Sequence, residues 1–115
     1  MWNGEGGRVY FYQSELPYDP PSQADWTHDG VNGYASYKVA DTVTDHQAIG
    51  LGVYCVFYNP VVEDDAIETP SAAGVVLHHM VTEWLGVDDQ SAIAHIIDGS
   101  GATANSGSRE AKTDD

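Results

Sequence analysis

The run IGLGVYCVFY, Ile49–Tyr58, constrains this chain more than any other feature. It carries no charge and is apolar at odd and even positions alike, so as a strand it must be covered on both faces. A strand with that requirement belongs inside a β-protein, not on its rim. Gly50 and Gly52 let another backbone come close, and Asn59-Pro60 ends the run.

The remaining signals are mostly β as well. Arg8–Gln13, RVYFYQ, is aromatic and β-branched and is bounded by Gly6-Gly7 and by the Pro-rich segment SELPYDPPSQ. That segment holds Pro17, Pro20 and Pro21 and reads as an extended loop. Gly33–Ala40, GYASYKVA, alternates as a strand, Val61 and Val62 pair briefly, and Glu63 to Asp65 reads as a solvated turn. Ile93–Ile97 is a last short strand. Between them, Gly74–Leu85 is ambiguous: Leu77, Met80, Val81, Trp84 and Leu85 follow the i, i+3, i+4, i+7, i+8 spacing of a helix face. Periodicity alone slightly favours a helix there. The stretch from Asp98 to Asp115 has no large apolar side chain and reads as a disordered polar tail after a β domain spanning residues 1–97. No repeat of fixed period is visible. Short strands separated by turns suit coils of a β-helix or, as the alternative, a small β-sandwich with one helix at 72–85.

Charge excludes several partners. The chain has 115 residues with 4 Lys+Arg against 18 Asp+Glu, a formal net charge of -14. Phosphate backbones and anionic membrane surfaces need clustered bases, so neither nucleic acid nor a membrane is an expected partner. No apolar run approaches the roughly 18 residues of a membrane span, and no charged-then-apolar leader opens the chain. The acidic, lysine-poor composition fits a protein working in high salt as well as it fits an ordinary acidic secreted protein. The single cysteine, Cys55, rules out an internal disulfide and any multi-cysteine zinc site.

Three stretches carry a resemblance: FYQSELPYDPPSQADW at Phe11–Trp26, NGYASYKVADTVTDHQAIGLGVYCVF at Asn32–Phe57, and LHHMVTEWLG with AHIIDGSG between Leu77 and Gly101. The most specific piece is GYASYKVAD followed by H-x-x-x-G-L-G-V-Y, at Gly33–Asp41 and His46–Tyr54. Together they resemble the C-terminal region of secreted bacterial proteins of actinobacterial type. Those proteins have a right-handed parallel β-helix, pectin-lyase-like fold and are akin to the family 55 glycoside hydrolases, the exo-β-1,3-glucanases. Such proteins carry names as disparate as coagulation factor 5/8 type domain protein and adenylyl cyclase. No phosphate-cradling loop is present to support a cyclase, since Gly4-Glu5-Gly6-Gly7 lacks a following Lys. The resemblance implies an all-β fold with Gly74–Leu85 as a strand paired to Ile93–Ile97. It implies an extracellular location, a polysaccharide or oligosaccharide as partner, and catalytic carboxylates mostly upstream. The chain is then a fragment, not catalytic alone. An independent carbohydrate-binding or β-helix-capping module, or the remnant of a truncated gene, are the alternatives. A fragment cut from a coil stack is expected to self-associate through its exposed β end.

Glycoside hydrolysis needs two carboxyl groups flanking the bond. Glu15 and Asp19, flanking Pro17-Tyr18, and Asp41 and Asp45, ahead of His46, are the candidate pairs. Among the aromatic residues, Tyr18 and Trp26 lie among Pro, Asp and Ser and are expected to be exposed for stacking on a sugar, with His46 as a further ligand contact. No His-x-x-x-His or His-Glu-x-x-His spacing occurs, so no metal is expected, and nothing in the residues calls for a cofactor.

Overall fold

The computed structural model describes all residues, 1–115, and contains strands and no helix. The strands are β1 (Gly7–Glu15), β2 (Thr27–His28), β3 (Val31–Asn32), β4 (Tyr37–Lys38), β5 (His46–Phe57), β6 (Val62–Glu68), β7 (Val75–Val87), β8 (Ala92–Ile97) and β9 (Glu110–Lys112). Two parallel ladders dominate, β1-β5-β7 and β4-β6-β8, with their strands in the same order. The chain therefore passes along one ladder and then the other, three times over. β9 closes the first ladder antiparallel to β7, and β2 and β3 form a small antiparallel pair of their own. The first passage is enlarged by the Pro-rich loop and the β2–β3 pair, so Gly7 pairs with His46 and His46 with Val75 at unequal sequence offsets. That inequality hides the repeat from a search at fixed period.

The core lies between the ladders. β5 supplies Ala48, Leu51, Val53, Cys55 and Phe57, all nearly or wholly inaccessible, against Ile67 of β6 and Ile93 and Ile96 of β8. The inward set of β5 changes parity between Ala48 and Leu51, because Gly50 takes a left-handed conformation with φ +79°. Phe11 (φ +59°) and His79 (φ +57°) do the same at the matching positions of β1 and β7. Each strand of the ladder thus switches its inward side in one row: Val9 to Tyr12, Ala48 to Leu51, Leu77 to Met80. This explains the helical spacing of Leu77, Met80 and Trp84. Two inward residues three apart, then alternation, mimic i, i+3, i+7 when a strand contains a left-handed break.

Several sequence expectations are corrected here. Residues 72–85 hold no helix; β7 runs through them, and its parallel neighbour is β5, while Ile93–Ile97 lies in β8 beside β6. Of Gly33–Ala40, only Tyr37–Lys38 is a strand. Glu63 is not in a solvated turn but inside the protein on β6. The stretch from Asp98 to Asp115 is not a loose tail. Ala104 and Ala111 are buried, Ala104 exchanges backbone hydrogen bonds with Ile93, and the Trp84 N–H donates to the Arg109 carbonyl at 2.8 Å. Small residues suffice there because the segment covers the end of a core built by larger ones.

Candidate functional site

Gly50 and Gly52 open the outer face of the first ladder. Their missing Cβ atoms leave the floor of a shallow cleft of about 170 Å³, walled by Phe11 and Tyr54 and bordered by Gln13, His79 and Val81. The Phe11 ring lies over Gly50, with Cδ1 3.0 Å from where a Cβ would stand, and the Tyr54 hydroxyl lies over Gly52. Phe11 is 84 % exposed, a large cost in apolar hydration for a side chain with no partner in the molecule. The left-handed backbone at Phe11 turns the ring outward where an ordinary alternating strand would turn it in.

One end of the cleft is acidic. Strand register sets Glu15, Tyr54, Glu83 and Glu110 side by side across β1, β5, β7 and β9. The Tyr18 hydroxyl donates to Glu15 Oε2 at 2.7 Å, which fixes the carboxyl and raises the phenol pKa. Glu83 and Glu110 face each other directly, and the hydrogen bond between their carboxyls raises the Glu83 pKa. Tyr18 packs beside Tyr58, ring centroids 5.9 Å apart.

Of the residues singled out from the sequence, the structure brings Glu15 and Tyr18 to this rim. Asp19 is exposed in the loop after β1 and Asp41 is exposed before β5. Asp45 pairs with Arg8 at 3.4 Å near the start of β5, the far end of the ladder from Glu15. The two candidate acid pairs are therefore not one site. Trp26, expected at the surface, is 8 % exposed and packs edge-on to Phe57 at 5.3 Å. His46 is wholly buried. Its Nε2 lies 2.5 Å from the Tyr37 hydroxyl, and burial, with Arg8 nearby, lowers its pKa. Neither offers a face to a ligand. Burial pushes the Cys55 thiol up to about 12, so it is not nucleophilic at neutral pH. His78 and His79 are both exposed, ring centroids 6.5 Å apart, and no three His, Cys, Asp or Glu side chains are grouped to hold a metal ion.

Phe11, Tyr54, Glu83 and Glu110 escaped the sequence reading. The signal that could have found them is Gly50-x-Gly52, because two glycines on one strand leave a gap that neighbouring strands must line.

No family model matches the chain. Over 99 residues it is 39% identical to an exo-β-1,3-glucanase of Streptomyces sp. (strain SirexAA-E / ActE), a match covering 84% of this chain and 16% of that protein. The chain is homologous to a segment of this glucanase. The structure of sacteLam55A from Streptomyces sp. SirexAA-E superposes with a TM-score of 0.90 at 34% identity, over 97% of this chain and 21% of that one. A glutamate-to-alanine variant of sacteLam55A in complex with glucose gives 0.88 at 33% identity, over 96% and 20%. The present chain thus spans about a fifth of the relatives it matches.

Proposed function

We propose that this chain is a glucan-binding segment of a carbohydrate-active, glycoside hydrolase-like protein, built as coils of a right-handed parallel β-helix and working outside the cell. The observation that carries the reading is the cleft over Gly50 and Gly52, where the exposed Phe11 ring faces outward beside Tyr54 and Gln13. Aromatic faces pack on the C–H faces of pyranose rings, and the amide and carboxyl groups at the rim accept and donate to hydroxyls. The two parallel ladders in matching order support the β-helix reading, and the homology to a glucanase supports a β-1,3-glucan as ligand.

Titration of the purified protein with laminarioligosaccharides by calorimetry tests this. Saturable binding is expected, weakened about tenfold by Phe11→Ala or Tyr54→Ala, the scale of one lost aromatic contact. No heat at millimolar glucan, or binding indifferent to both substitutions, would overturn the reading. Hydrolysis of laminarin is not expected; robust turnover abolished by Glu15→Gln would move the catalytic site into this chain.

A further inference from the structure

Four places in the chain set an Asp or Asn directly before a glycine: Asn3-Gly4, Asp29-Gly30, Asn32-Gly33 and Asp98-Gly99. Such a pair carries a latent reaction. The glycine amide nitrogen attacks the side-chain carbonyl carbon, water or ammonia leaves, and a five-membered succinimide closes. Glycine favours the ring because it has no Cβ to obstruct it. In a folded chain the reaction depends on whether the two groups are already held elsewhere. Two of the pairs are held. The Asn32 side-chain amide donates to Asp64 at 3.3 Å, and the Gly33 N–H donates to the Trp26 carbonyl at 2.7 Å. The Asp98 carboxylate accepts the Thr69 N–H at 2.9 Å and the Thr69 hydroxyl at 2.5 Å, and the Gly99 N–H donates to Asp65 at 2.7 Å. Each of these must give up hydrogen bonds before it can cyclise.

Asp29-Gly30 is free. These are the two residues of the turn between β2 and β3, where Thr27 pairs with Asn32 and His28 with Val31. Their φ angles of +49° and +78° are those of the tight hairpin turn that Asp-Gly favours. Both residues are exposed, and neither the Asp29 carboxyl nor the Gly30 N–H has a hydrogen-bond partner. A Cβ at Gly30 would meet nothing within 4 Å. Asn3-Gly4 is exposed too, but it lies before β1 and closes no hairpin.

We propose that Asp29-Gly30 is a site of spontaneous succinimide formation, and that the isoaspartyl linkage it leaves releases the β2–β3 pair from β6. The Gly30 nitrogen bonds to Asp29 Cγ, and its proton departs with the carboxyl hydroxyl as water. Water then opens the ring. Attack at the Cγ carbonyl restores aspartate, whereas attack at the α-carbonyl leaves the main chain running through Cγ; nothing is oxidised or reduced. The isoaspartyl form adds a methylene to the backbone of a turn that fits its two residues closely, so His28 and Val31 lose their register. The displacement reaches the contacts on either side. His28 is stacked on Tyr34 with ring centroids 4.6 Å apart, the Tyr34 N–H donates to Glu63, and the Asn32 N–H donates to Asp64 at 2.8 Å. Those two backbone donors tie this pair of strands to β6. Trp26, buried on Phe57 ahead of the turn, keeps its place, so the opening is local.

Warm incubation of the folded protein at pH 5 and at pH 8, followed by peptide mapping with isoaspartyl-specific methylation, tests this. Isoaspartate is expected at Asp29 with no change of mass, and faster at pH 5, because a carboxyl loses its oxygen as water only when protonated. Asn3 cyclises through a deprotonated amide nitrogen and loses ammonia, so it shows the opposite pH order and a change of mass. Hydrogen exchange over Thr27–Tyr34 is expected to quicken in step with the isoaspartyl fraction, while β5 and β7 stay protected. Asp29→Gly suits a left-handed backbone and has no carboxyl to cyclise, so it is expected to abolish both changes. An Asp29 that stays aspartyl overturns the proposal, as does isoaspartate forming as fast at Asn32 or Asp98. Unchanged exchange in the converted protein, or quickening that persists in Asp29→Gly, overturns it equally. The wild-type map and exchange decide the matter even if the variant does not fold.

Discussion

Glu63 lies inside the protein with its Oε2 accepting the Tyr34 backbone N–H at 3.1 Å. Its Oε1 has no partner. Burial pushes its pKa up to about 9, with Glu68, Asp65 and Asp64 adding to the rise and the Tyr34 bond opposing it. The carboxyl is thus neutral at pH 7 and holds the turn after β3 against β6. Because the group keeps its proton in the folded state and loses it in the unfolded state, stability falls as pH rises from about 4.5 to about 9.

This gives the first prediction. In urea melts, the wild type should lose stability across pH 6 to 9 with a contribution from this one group approaching 1.4 kcal/mol per pH unit. Glu63→Gln, which keeps the acceptor for Tyr34 but does not ionise, should flatten that slope. An unchanged slope in the variant would show that Glu63 is not the group responsible.

The acid limb belongs to His46. Its pKa is lowered by burial, so the unfolded chain takes up a proton before the folded one does, and stability present above about 6.5 is lost as pH falls below it. Gly7 stands against this ring, with a Cβ position 2.6 Å from Nδ1. His46→Gln should weaken the acid loss, measured as the difference between melting temperatures at pH 5 and pH 7. A variant that loses as much as the wild type would exclude His46 as the cause.

Gly33 is the tightest point beside Glu63. Its φ is +81°, and a Cβ there would overlap the Glu63 carboxyl and crowd the Trp26 ring. Gly33→Ala should therefore cost about 3 kcal/mol, combining left-handed strain with displacement of a buried side chain. Chemical denaturation measures this, and a loss below about 0.5 kcal/mol would mean the turn rearranges freely.

Trp26 and Tyr18 should separate by stability. Trp26→Ala removes a buried ring packed on Phe57 and should cost about 3 to 5 kcal/mol. Tyr18→Ala, at a 40 % exposed ring on the cleft rim, should cost about 1 kcal/mol or less. Equal losses from the two would contradict their placement.

Deleting the residues after Asp98 should expose Trp84, which lies under Arg109 at 5.3 Å and donates through its indole N–H to Ser91. Tryptophan emission should shift to longer wavelength and the melting temperature should fall, because β9 and the Ala104 bridge are lost. A truncated chain that melts like the full one would show the covering segment to be dispensable.

The residues by themselves determined the mostly β character, the two-sided burial of Ile49–Tyr58 and the repulsive charge, whereas a strand rather than a helix at Gly74–Leu85 came only with the family resemblance. These follow from composition and from apolar runs, which are local properties. The contact between Glu15 and Tyr18 is local as well, since a Pro-constrained loop keeps short-range neighbours together. Trp26 and His46 were misplaced because polar neighbours in sequence say little about which element packs over a ring. The helix-like spacing in β7 misled because period analysis assumes one unbroken conformation, and the break at His79 is set by the row it shares with Phe11 and Gly50. Glu63 looked like one of three solvated acids. Only the fold, by laying Tyr34 and Trp26 over β6, made it a buried neutral carboxyl. The cleft was likewise invisible in the chain, because its walls come from strands whose register is decided by tertiary packing and not by any local pattern.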